Sequence, residues 1–242
     1  MSRVAVVTGA AAGLGRACAS RLAADGLRLF LVDTDAAAVA AFTDELTSRG
    51  SEVASFVTDI RTQPACQSAV DAALDQFGGV DVLVNAAGVY PRKPVLEISA
   101  DDWQFVFDVN VLGTYFMMTA AIADMRTRSR GHIVNISSVD GFKAHPANAH
   151  YAATKAAVIS LTRSIALEVA PFGILVNSVA PAAMATAAAK LTDWYEPMVA
   201  ALPTRQPIEP DEVARLVAYL SHIDNVSIAG ENIVVSGASV IV

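Results

Sequence analysis

Cysteine and clustered basic residues are both scarce in this 242-residue chain. The two cysteines, Cys18 and Cys66, have neither the spacing of metal ligands nor the density of a disulfide scaffold. We therefore expect two small buried side chains and a reducing compartment, the cytoplasm. Seventeen Lys and Arg against 24 Asp and Glu give a formal net charge of −7, with no basic block. A nucleic-acid partner is not expected, because phosphate binding needs clustered positive charge.

The sequence also lacks an uninterrupted apolar segment long enough to cross a membrane. The longest uncharged stretch, 169–189, is broken by Pro171, Gly173, Asn177 and Pro181. We interpret this stretch as the end of a helix, a buried strand and a loop, and we expect no membrane partner. The apolar run near the beginning, 4–7, is too short for a signal peptide and is followed at once by Thr-Gly.

Apolar residues make up 54% of the chain and form short runs that alternate with longer helical patterns. The predicted strands are 4–8, 28–33, 53–59, 80–87, 132–137, 175–179 and 232–235. The predicted helices include 14–24, 36–49, 63–77, 101–126 and 152–169. Several strands are continuous in Val, Ile and Leu, which is typical of strands covered by helices on both faces. The pattern predicts one α/β domain over 1–242, with a doubly wound, Rossmann-type parallel sheet of seven strands.

A glycine-rich turn follows the first predicted strand and leads directly into a helix. Gly9 allows a sharp turn, and Gly13 and Gly15 allow the backbone to approach a phosphate and the helix to pack on the strand. A tight strand–helix corner is the simpler alternative. The strand before and the helix after favour dinucleotide binding by Gly9, Gly13, Leu14 and Gly15.

Asp33 ends the second predicted strand, 18 residues after Gly15. A carboxylate at this position binds the ribose hydroxyls of NAD and repels the additional phosphate of NADP. Its alternative role is to cap the next helix, for which Asp35 is better placed. Arg16 could favour NADP, but it points along the first helix. The sequence therefore predicts NAD.

Four further motifs complete a pattern along most of the chain. Asn85-Ala86-Ala87-Gly88 closes the fourth strand, Asn110 stands in Asn-Val-x-Gly, and Ser138 precedes Tyr151-x-x-x-Lys155 by 13 residues. Tyr-x-x-x-Lys alone is a weak signal, but together with the glycine turn these motifs are specific. From 4 to 237 the chain resembles the short-chain dehydrogenase/reductase family, in its single-domain branch.

The resemblance implies further cofactor contacts. Asp59 and Ile60 would lie near the adenine, with Asn85 and Ala87 at the end of the fourth strand. Pro181 and Thr186 would lie near the nicotinamide amide. The chain departs from the family where Pro181 is followed by alanine instead of glycine, and where Val235-Ser236-Gly237-Ala238 replaces Val-Asp-Gly-Gly.

The resemblance also implies a catalytic set, Asn110, Ser138, Tyr151 and Lys155. Tyr151 would exchange a proton with the substrate, Ser138 would donate to its oxygen, and Asn110 would hold a water that links Lys155 to solvent. Tyr151 and Lys155 are four residues apart and share one helix face. We expect Lys155 and an oxidised nicotinamide to lower the pKa of the Tyr151 phenol. The reaction needs no metal.

The substrate is expected to contact a lid at 183–207 that is rich in apolar and aromatic residues. Lys and Arg are scarce around the predicted cleft, which favours a small, mostly apolar secondary alcohol or ketone. One alternative is an NADPH-dependent reductase of 3-oxoacyl thioesters, which Asp33 disfavours. Another is a catalytically idle dinucleotide-binding sensor or scaffold, which would not need the proton-transfer residues. The resemblance also implies a homotetramer built through 101–126, 152–169 and the last strand.

Overall fold

A single parallel sheet forms the centre of the computed structural model, which describes residues 2–241. Met1 and Val242, the ends of the predicted domain, lie outside the described residues. The strands stand in the order β3-β2-β1-β4-β5-β6-β7, with every neighbouring pair parallel. They are β1 (Val4–Thr8), β2 (Arg28–Asp33), β3 (Val53–Val57), β4 (Val82–Asn85), β5 (Gly131–Ile136), β6 (Ile174–Pro181) and β7 (Asn232–Val235). The predicted single-domain, seven-stranded Rossmann-type fold is confirmed.

Helices cover both faces of the sheet. They are α1 (Gly13–Ala24), α2 (Ala36–Ser48), α3 (Gln63–Phe77), α4 (Ala100–Phe107), α5 (Thr114–Thr127), α6 (Ala149–Val169), α7 (Ala187–Lys190), α8 (Tyr195–Ala200) and α9 (Pro210–Leu220). The face that carries α1, α2 and α9 is packed separately from the face that carries α3, α5 and α6.

The continuous apolar strands follow from this two-sided burial. In β1, Ala5 and Val7 face the α1 side, whereas Val4 and Val6 face the α3 side. Every residue of β1 is buried, so an alternating pattern would place polar groups in a core. Cys18 and Cys66 are both buried, as expected, and they lie on opposite faces of the sheet.

Two predicted strands are too long. The strand predicted at 53–59 ends at Val57, because the backbone turns where the Asp59 carboxylate accepts from the Arg61 amide. The strand predicted at 80–87 spans only Val82–Asn85. Beyond Asn85 the amides of Ala86 and Ala87 bind the Thr8 hydroxyl instead of a neighbouring strand. At the other end, Asp81 still makes backbone hydrogen bonds to Val4 and His132.

The long helix predicted at 101–126 is not one regular helix. A π-helical turn at Asp108–Gly113 separates α4 from α5, and Asn110 lies in it. The wider turn shifts the register of the backbone hydrogen bonds, and Thr114 Oγ1 donates to the Asn110 carbonyl at 2.9 Å. This turn sets where the Asn110 side chain points.

The same helical region, Ala100–Thr127, is long and apolar enough to cross a membrane by length and composition alone. Half of its most apolar window is buried inside the protein, and α5 packs against α3 and α6. This is weak support for a membrane span, because a core helix meets the same two criteria. The stretch 169–189 does contain the expected helix end, buried strand and loop.

The glycine turn between β1 and α1 packs tightly against the end of β4. A Cβ atom built on Gly9 would lie 2.7 Å from the Ala87 Cα, and one built on Gly15 would lie 2.0 Å from the Gly9 carbonyl oxygen. The Thr8 hydroxyl accepts from the amides of Ala86 and Ala87 at 3.2 and 3.1 Å. These contacts hold the beginning of α1 at the point where the strand order reverses.

Replacing Gly15 by alanine should destabilise the protein, although alanine normally favours helices. The added methyl group would overlap backbone, so we expect the free energy of unfolding to fall by about 2 kcal/mol or more. Denaturant unfolding measures this change. Gly50→Ala is the control, since Gly50 has a φ of +88° but nothing within 4 Å of an added Cβ. Gly50→Ala should lower the free energy of unfolding by only about 1 kcal/mol, because alanine is strained at a positive φ. An equal loss of unfolding free energy in both variants would contradict the steric argument.

Candidate active site

One cavity of about 700 Å³ opens at the carboxyl ends of the strands and collects most of the predicted residues. This volume lies within the range of ligand-binding pockets. Predicted residues that line it are Gly9, Gly13, Leu14, Gly15, Asp33, Asp59, Ile60, Ala87, Ser138, Tyr151, Lys155, Pro181 and Thr186. Residues separated by more than 170 positions in the sequence therefore face one space.

Two predicted residues, Asn85 and Asn110, do not line this cavity. Asn85 is buried, and its amide donates to Asn135 Oδ1 at 2.9 Å. Asn110 is also buried; its Oδ1 accepts from the Val89 amide and its Nδ2 donates to the Val89 carbonyl, both at 2.9 Å. Asn110 thus fixes the loop after β4 through two hydrogen bonds to the Val89 backbone.

The turn at the beginning of α1 has the properties of a phosphate cradle. Ala12, the residue at the N-cap, makes no side-chain cap, and the first turn contains no acidic residue. Gly13 has a φ of +52°, and a Cβ there would approach Thr186 Cγ2 to 3.6 Å. Backbone amides at this helix terminus therefore face the cavity without a competing carboxylate, which fits a dinucleotide pyrophosphate.

Asp33 lies at the edge of the cavity next to this turn. Its Oδ2 accepts from the Ala11 amide at 2.9 Å and its Oδ1 from the Asp35 amide at 3.0 Å. Asp35 caps α2, as expected, by accepting from the Ala38 amide at 3.0 Å. The capping role is thus filled by Asp35, and the Asp33 carboxylate remains at the cavity.

Arg16, the residue that could favour NADP, points away from this position. It forms an ion pair with Glu45, and its guanidinium carbon lies 3.9 Å from the centre of the Phe42 ring. Arg16 does not line the cavity.

Arg61 lines the cavity but did not emerge from the sequence motifs. Its Nε donates to Asp59 Oδ2 at 2.7 Å, and this hydrogen bond is the main cause that lowers the pKa of Asp59. The sequence signal that could have identified Arg61 is the opposite charge of Asp59, two residues earlier. A carboxylate expected near the adenine is therefore already engaged by a neighbouring guanidinium.

Ser138, Tyr151 and Lys155 meet at the end of β5. Ser138 follows this strand, and its hydroxyl accepts from the Asp140 amide at 3.1 Å. Lys155 Nζ donates to the Ile136 carbonyl at 2.8 Å and lies 5.7 Å from the centre of the Tyr151 ring. Ser137, the serine directly before Ser138, donates to the Val179 carbonyl at 2.9 Å within the sheet. This geometry favours Ser138 as the serine available to a ligand.

Burial dominates the protonation of the tyrosine and the lysine. Burial lowers the pKa of Lys155 to about 8. Burial also raises the pKa of Tyr151; a hydrogen bond with Ser138 opposes the rise, and the charge of Asp140 adds to it. We expected Lys155 together with an oxidised nicotinamide to lower the pKa of Tyr151. Within the described residues the direction is the opposite, because desolvation outweighs every other influence on the phenol.

The predicted lid consists of α7, α8 and their flanking turns. Met184, Trp194 and Met198 line the cavity, whereas Tyr195 and Leu202 are buried within the protein and Leu191 is 89% exposed. Trp194 and Val199 pack with Ala185, Ala189 and Tyr195 in a small cluster separate from the two main cores.

The facing wall comes from the loops after β4 and β5. Val89, Tyr90, Val139 and Asp140 line the cavity, and Tyr90 places its ring 6.5 Å from Tyr151 and 6.4 Å from Trp194. Phe142, two residues after Asp140, does not line the cavity. The path of the Pro181-Ala182 segment is regular: the Ala182 amide donates to the Val235 carbonyl at 2.9 Å.

Comparison with known proteins agrees with this arrangement. A family model described as short chain dehydrogenase matches residues 3–195. The diacetyl reductase [(S)-acetoin forming] of Staphylococcus epidermidis is 32% identical over 255 residues, which cover 99% of each chain. The 3-alpha-(or 20-beta)-hydroxysteroid dehydrogenase of Mycobacterium tuberculosis is 36% identical over 244 residues, 99% of this chain and 90% of that one. The crystal structure of NAD⁺-bound xylitol dehydrogenase has a TM-score of 0.91 and 31% identity, covering 98% of both chains.

Replacing Lys155 by methionine should stabilise the free protein. Folding holds the pKa of this lysine near 8 instead of 10.5, so the charged form costs about 3 kcal/mol in the native state. The penalty is complete below about pH 8 and disappears as the pH rises towards about 10.5. The gain in unfolding free energy should therefore be present at about pH 7 and absent at about pH 10.5.

Denaturant unfolding at several pH values measures this gain. Lys190→Met is the control, because Lys190 is exposed at the end of α7 and should show no such pH dependence. A gain for Lys155→Met that stayed constant up to about pH 10.5 would contradict the burial argument.

Proposed function

The chain belongs to the short chain dehydrogenase family, and we propose that it transfers a hydride between NAD and a small secondary alcohol or ketone. It is an oxidoreductase acting on CH–OH groups. One observation carries the proposal: a single cavity joins the glycine turn to Ser138, Tyr151 and Lys155. A protein that only binds a dinucleotide needs the glycine turn but does not need Ser138, Tyr151 and Lys155. Their presence in the same cavity argues against an idle sensor or scaffold.

Tyr151 acts as the general acid and base. In oxidation it removes the hydroxyl proton of the alcohol while the C–H electron pair leaves as hydride; in reduction it protonates the oxygen. Ser138 donates a hydrogen bond to the same oxygen and stabilises the charge that develops there. Both groups face the cavity from different elements, so a substrate oxygen between them contacts both.

Lys155 takes part in the transfer of protons between Tyr151 and solvent. With a pKa near 8, its ammonium exchanges protons close to neutral pH. Asn110 acts as a positioning residue: it holds Val89 through both polar atoms of its side chain and also donates to Thr154 Oγ1 at 3.1 Å. We expect a water on this path between Lys155 and solvent.

The cofactor is proposed to lie along the cavity from Asp33 to Tyr151. The glycine turn binds its phosphates, Asp33 binds the adenosine ribose, Asp59 and Ile60 contact the base, and Pro181 and Thr186 contact the nicotinamide amide. When bound, oxidised NAD supplies the hydride acceptor and a positive charge of the sign that favours the Tyr151 phenolate. Asp33 at the cavity and Arg16 tied to Glu45 support NAD over NADP.

The substrate is proposed to be a small alcohol or ketone held between the lid and the β4 loop. The relatives named for diacetyl and hydroxysteroid chemistry differ widely in substrate size, so their names do not define the carbon skeleton. Tyr90, Trp194 and Met198 provide apolar contact area close to Tyr151. We also propose a cytoplasmic homotetramer assembled through α4–α5, α6 and β7.

Replacing Tyr151 by phenylalanine should abolish turnover but preserve cofactor binding. Loss of the proton donor and acceptor is expected to lower kcat by about a hundredfold to ten-thousandfold. Secondary-alcohol oxidation, followed by the absorbance of NADH, measures turnover, and the fluorescence of bound NADH measures affinity. Tyr219→Phe, at a residue exposed on α9, is the matched control. Turnover that survives in Tyr151→Phe would refute the catalytic assignment.

Replacing Asp33 by asparagine should shift the preference from NADH towards NADPH. The amide keeps an acceptor for the Ala11 amide but removes the charge that repels a ribose phosphate. We expect the ratio of the two dissociation constants, measured by calorimetry, to change by about tenfold or more. Asp35→Asn removes the same charge outside the cavity and should leave the ratio unchanged. Tighter binding of NADPH than NADH by the unmodified protein would overturn the NAD assignment and favour the 3-oxoacyl thioester reductase.

A further inference from the structure

We propose that Thr154 is a positioning residue for proton transfer by Tyr151 and Lys155. Its hydroxyl links Asn110, in the π-helical turn, to the turn of α6 that carries both groups. Thr154 is buried and does not line the cavity, so its effect on the reaction must act through its neighbours. This inference rests on the proposed function and assigns a further residue to it.

The two hydrogen bonds of the Thr154 hydroxyl have a fixed direction. A hydroxyl has one proton to donate and two lone pairs that accept. Thr154 Oγ1 donates to the Tyr151 carbonyl at 2.7 Å, which uses its proton. The hydroxyl can therefore only accept from Asn110, whose Nδ2 lies 3.1 Å away.

The Asn110 carboxamide is oriented by the backbone of Val89. Because its Oδ1 accepts from the Val89 amide, its Nδ2 group faces the Val89 carbonyl and Thr154. Nδ2 has two protons, and these two acceptors use both of them. Asn110 and Thr154 are 0% and 1% exposed, so bulk water cannot replace either partner. Loss of the Thr154 hydroxyl would leave a buried N–H group unpaired, which is unfavourable.

The carbonyl that receives the Thr154 proton lies in the segment between the two proton-transfer residues. In a regular α-helix the Tyr151 carbonyl also accepts from the Lys155 amide, four residues later. Thr154 therefore binds the same peptide oxygen that closes this helical turn. A hydroxyl bonded to the preceding turn also affects the local bend of a helix. Asn110 is thus connected, through Thr154, to the turn whose two end residues line the cavity.

The same carboxamide lies close to the Lys155 ammonium at Gly88. A Cβ atom built on Gly88 would lie 3.2 Å from Asn110 Oδ1 and 3.6 Å from Lys155 Nζ. Lys155 Nζ also donates to the Ile136 carbonyl at 2.8 Å. A rotation of the Asn110 side chain would therefore change the surroundings of Lys155 as well as the path of the loop after β4.

A second threonine on α6 has an equivalent arrangement and provides a matched control. Thr162 Oγ1 donates to the Val158 carbonyl at 2.8 Å and accepts from Asn135 Nδ2 at 3.0 Å. Thr162 and Asn135 are buried, and neither lines the cavity. Both threonines therefore make the same kinds of hydrogen bond, but only Thr154 lies between the proton-transfer residues.

The test compares Thr154→Val, which removes the hydroxyl but keeps the shape of the side chain, with Thr154→Ser, which keeps the hydroxyl. The full-length protein oxidises 2-butanol or cyclohexanol with NAD, followed by the absorbance of NADH. We expect Thr154→Val to lower kcat about tenfold, because a small displacement of reacting groups slows catalysis strongly. The KM of NAD should stay nearly unchanged, since the glycine turn and Asp33 are untouched. Thr154→Ser should recover most of the lost turnover.

A double-mutant cycle tests whether Thr154 acts through Asn110. The kcat values of Thr154→Val, Asn110→Ala and the doubly substituted protein are compared with that of the unmodified protein. The effect of Thr154→Val should largely disappear in the Asn110→Ala background, because the hydrogen bond that it removes is already absent. Effects that multiply would overturn the inference. Near-UV circular dichroism checks folding; if Asn110→Ala does not fold, Thr154→Ser and Thr162→Val decide.

Thr162→Val distinguishes positioning from a loss of stability. Both valine variants should lower the midpoint of denaturant unfolding to a similar extent, but Thr162→Val should leave kcat unchanged. An unchanged kcat in Thr154→Val, an equal loss of kcat in both valine variants, or a Thr154→Ser variant as slow as Thr154→Val would overturn the inference. In each of these cases turnover by the unmodified protein would still support the proposed function. Failure of the unmodified protein to oxidise either alcohol with NAD or NADP would contradict the proposed function, and the inference would fall with it.

Discussion

The close packing of the glycine turn on the end of β4 is the constraint from which the active-site geometry follows. Gly9 lies so near Ala87 that no side chain fits between them, and the Thr8 hydroxyl binds the two amides that follow β4. Because of this contact, the beginning of α1 faces the cavity. The loop after β4, which carries Tyr90 and Arg92, lines the side of the cavity proposed for the substrate. Asn110 supports that loop from the π-helical turn. The proposed cofactor side and the proposed substrate side of the cavity are therefore both fixed by this contact.

Burial of the proposed catalytic pair is a second constraint, and it acts against stability. Packing α6 on the end of β5 removes Lys155 from water and lowers its pKa to about 8, and it raises the pKa of Tyr151. The protein alone thus disfavours both charged forms. We infer that the phenolate is favoured only when positive charge enters the cavity, which couples proton transfer to the presence of the oxidised cofactor.

Much of the site could be predicted because local motifs carry it. The glycine turn, Asp33, Ser138 and the Tyr151–Lys155 spacing each lie within a few residues of a strand end or on one helix face, and thirteen of the predicted positions line one cavity. The failures have tertiary causes. The strands predicted at 53–59 and 80–87 extend beyond the pairing of β3 and β4 in the sheet, the π turn interrupts a helical pattern that shows no break, and desolvation outweighs the influence expected of Lys155 on the pKa of Tyr151.

The amino-acid sequence by itself determined the fold class and the parallel sheet, because periodicity is a short-range property, and it predicted the proton-transfer residues through a family resemblance. Only the tertiary structure decided which side chains meet. Arg92 and Asp140 come from loops after different strands, and the lid divides its aromatic residues between the cavity and its own small core. These juxtapositions depend on how distant loops pack at one edge of the sheet, and no local pattern encodes that packing.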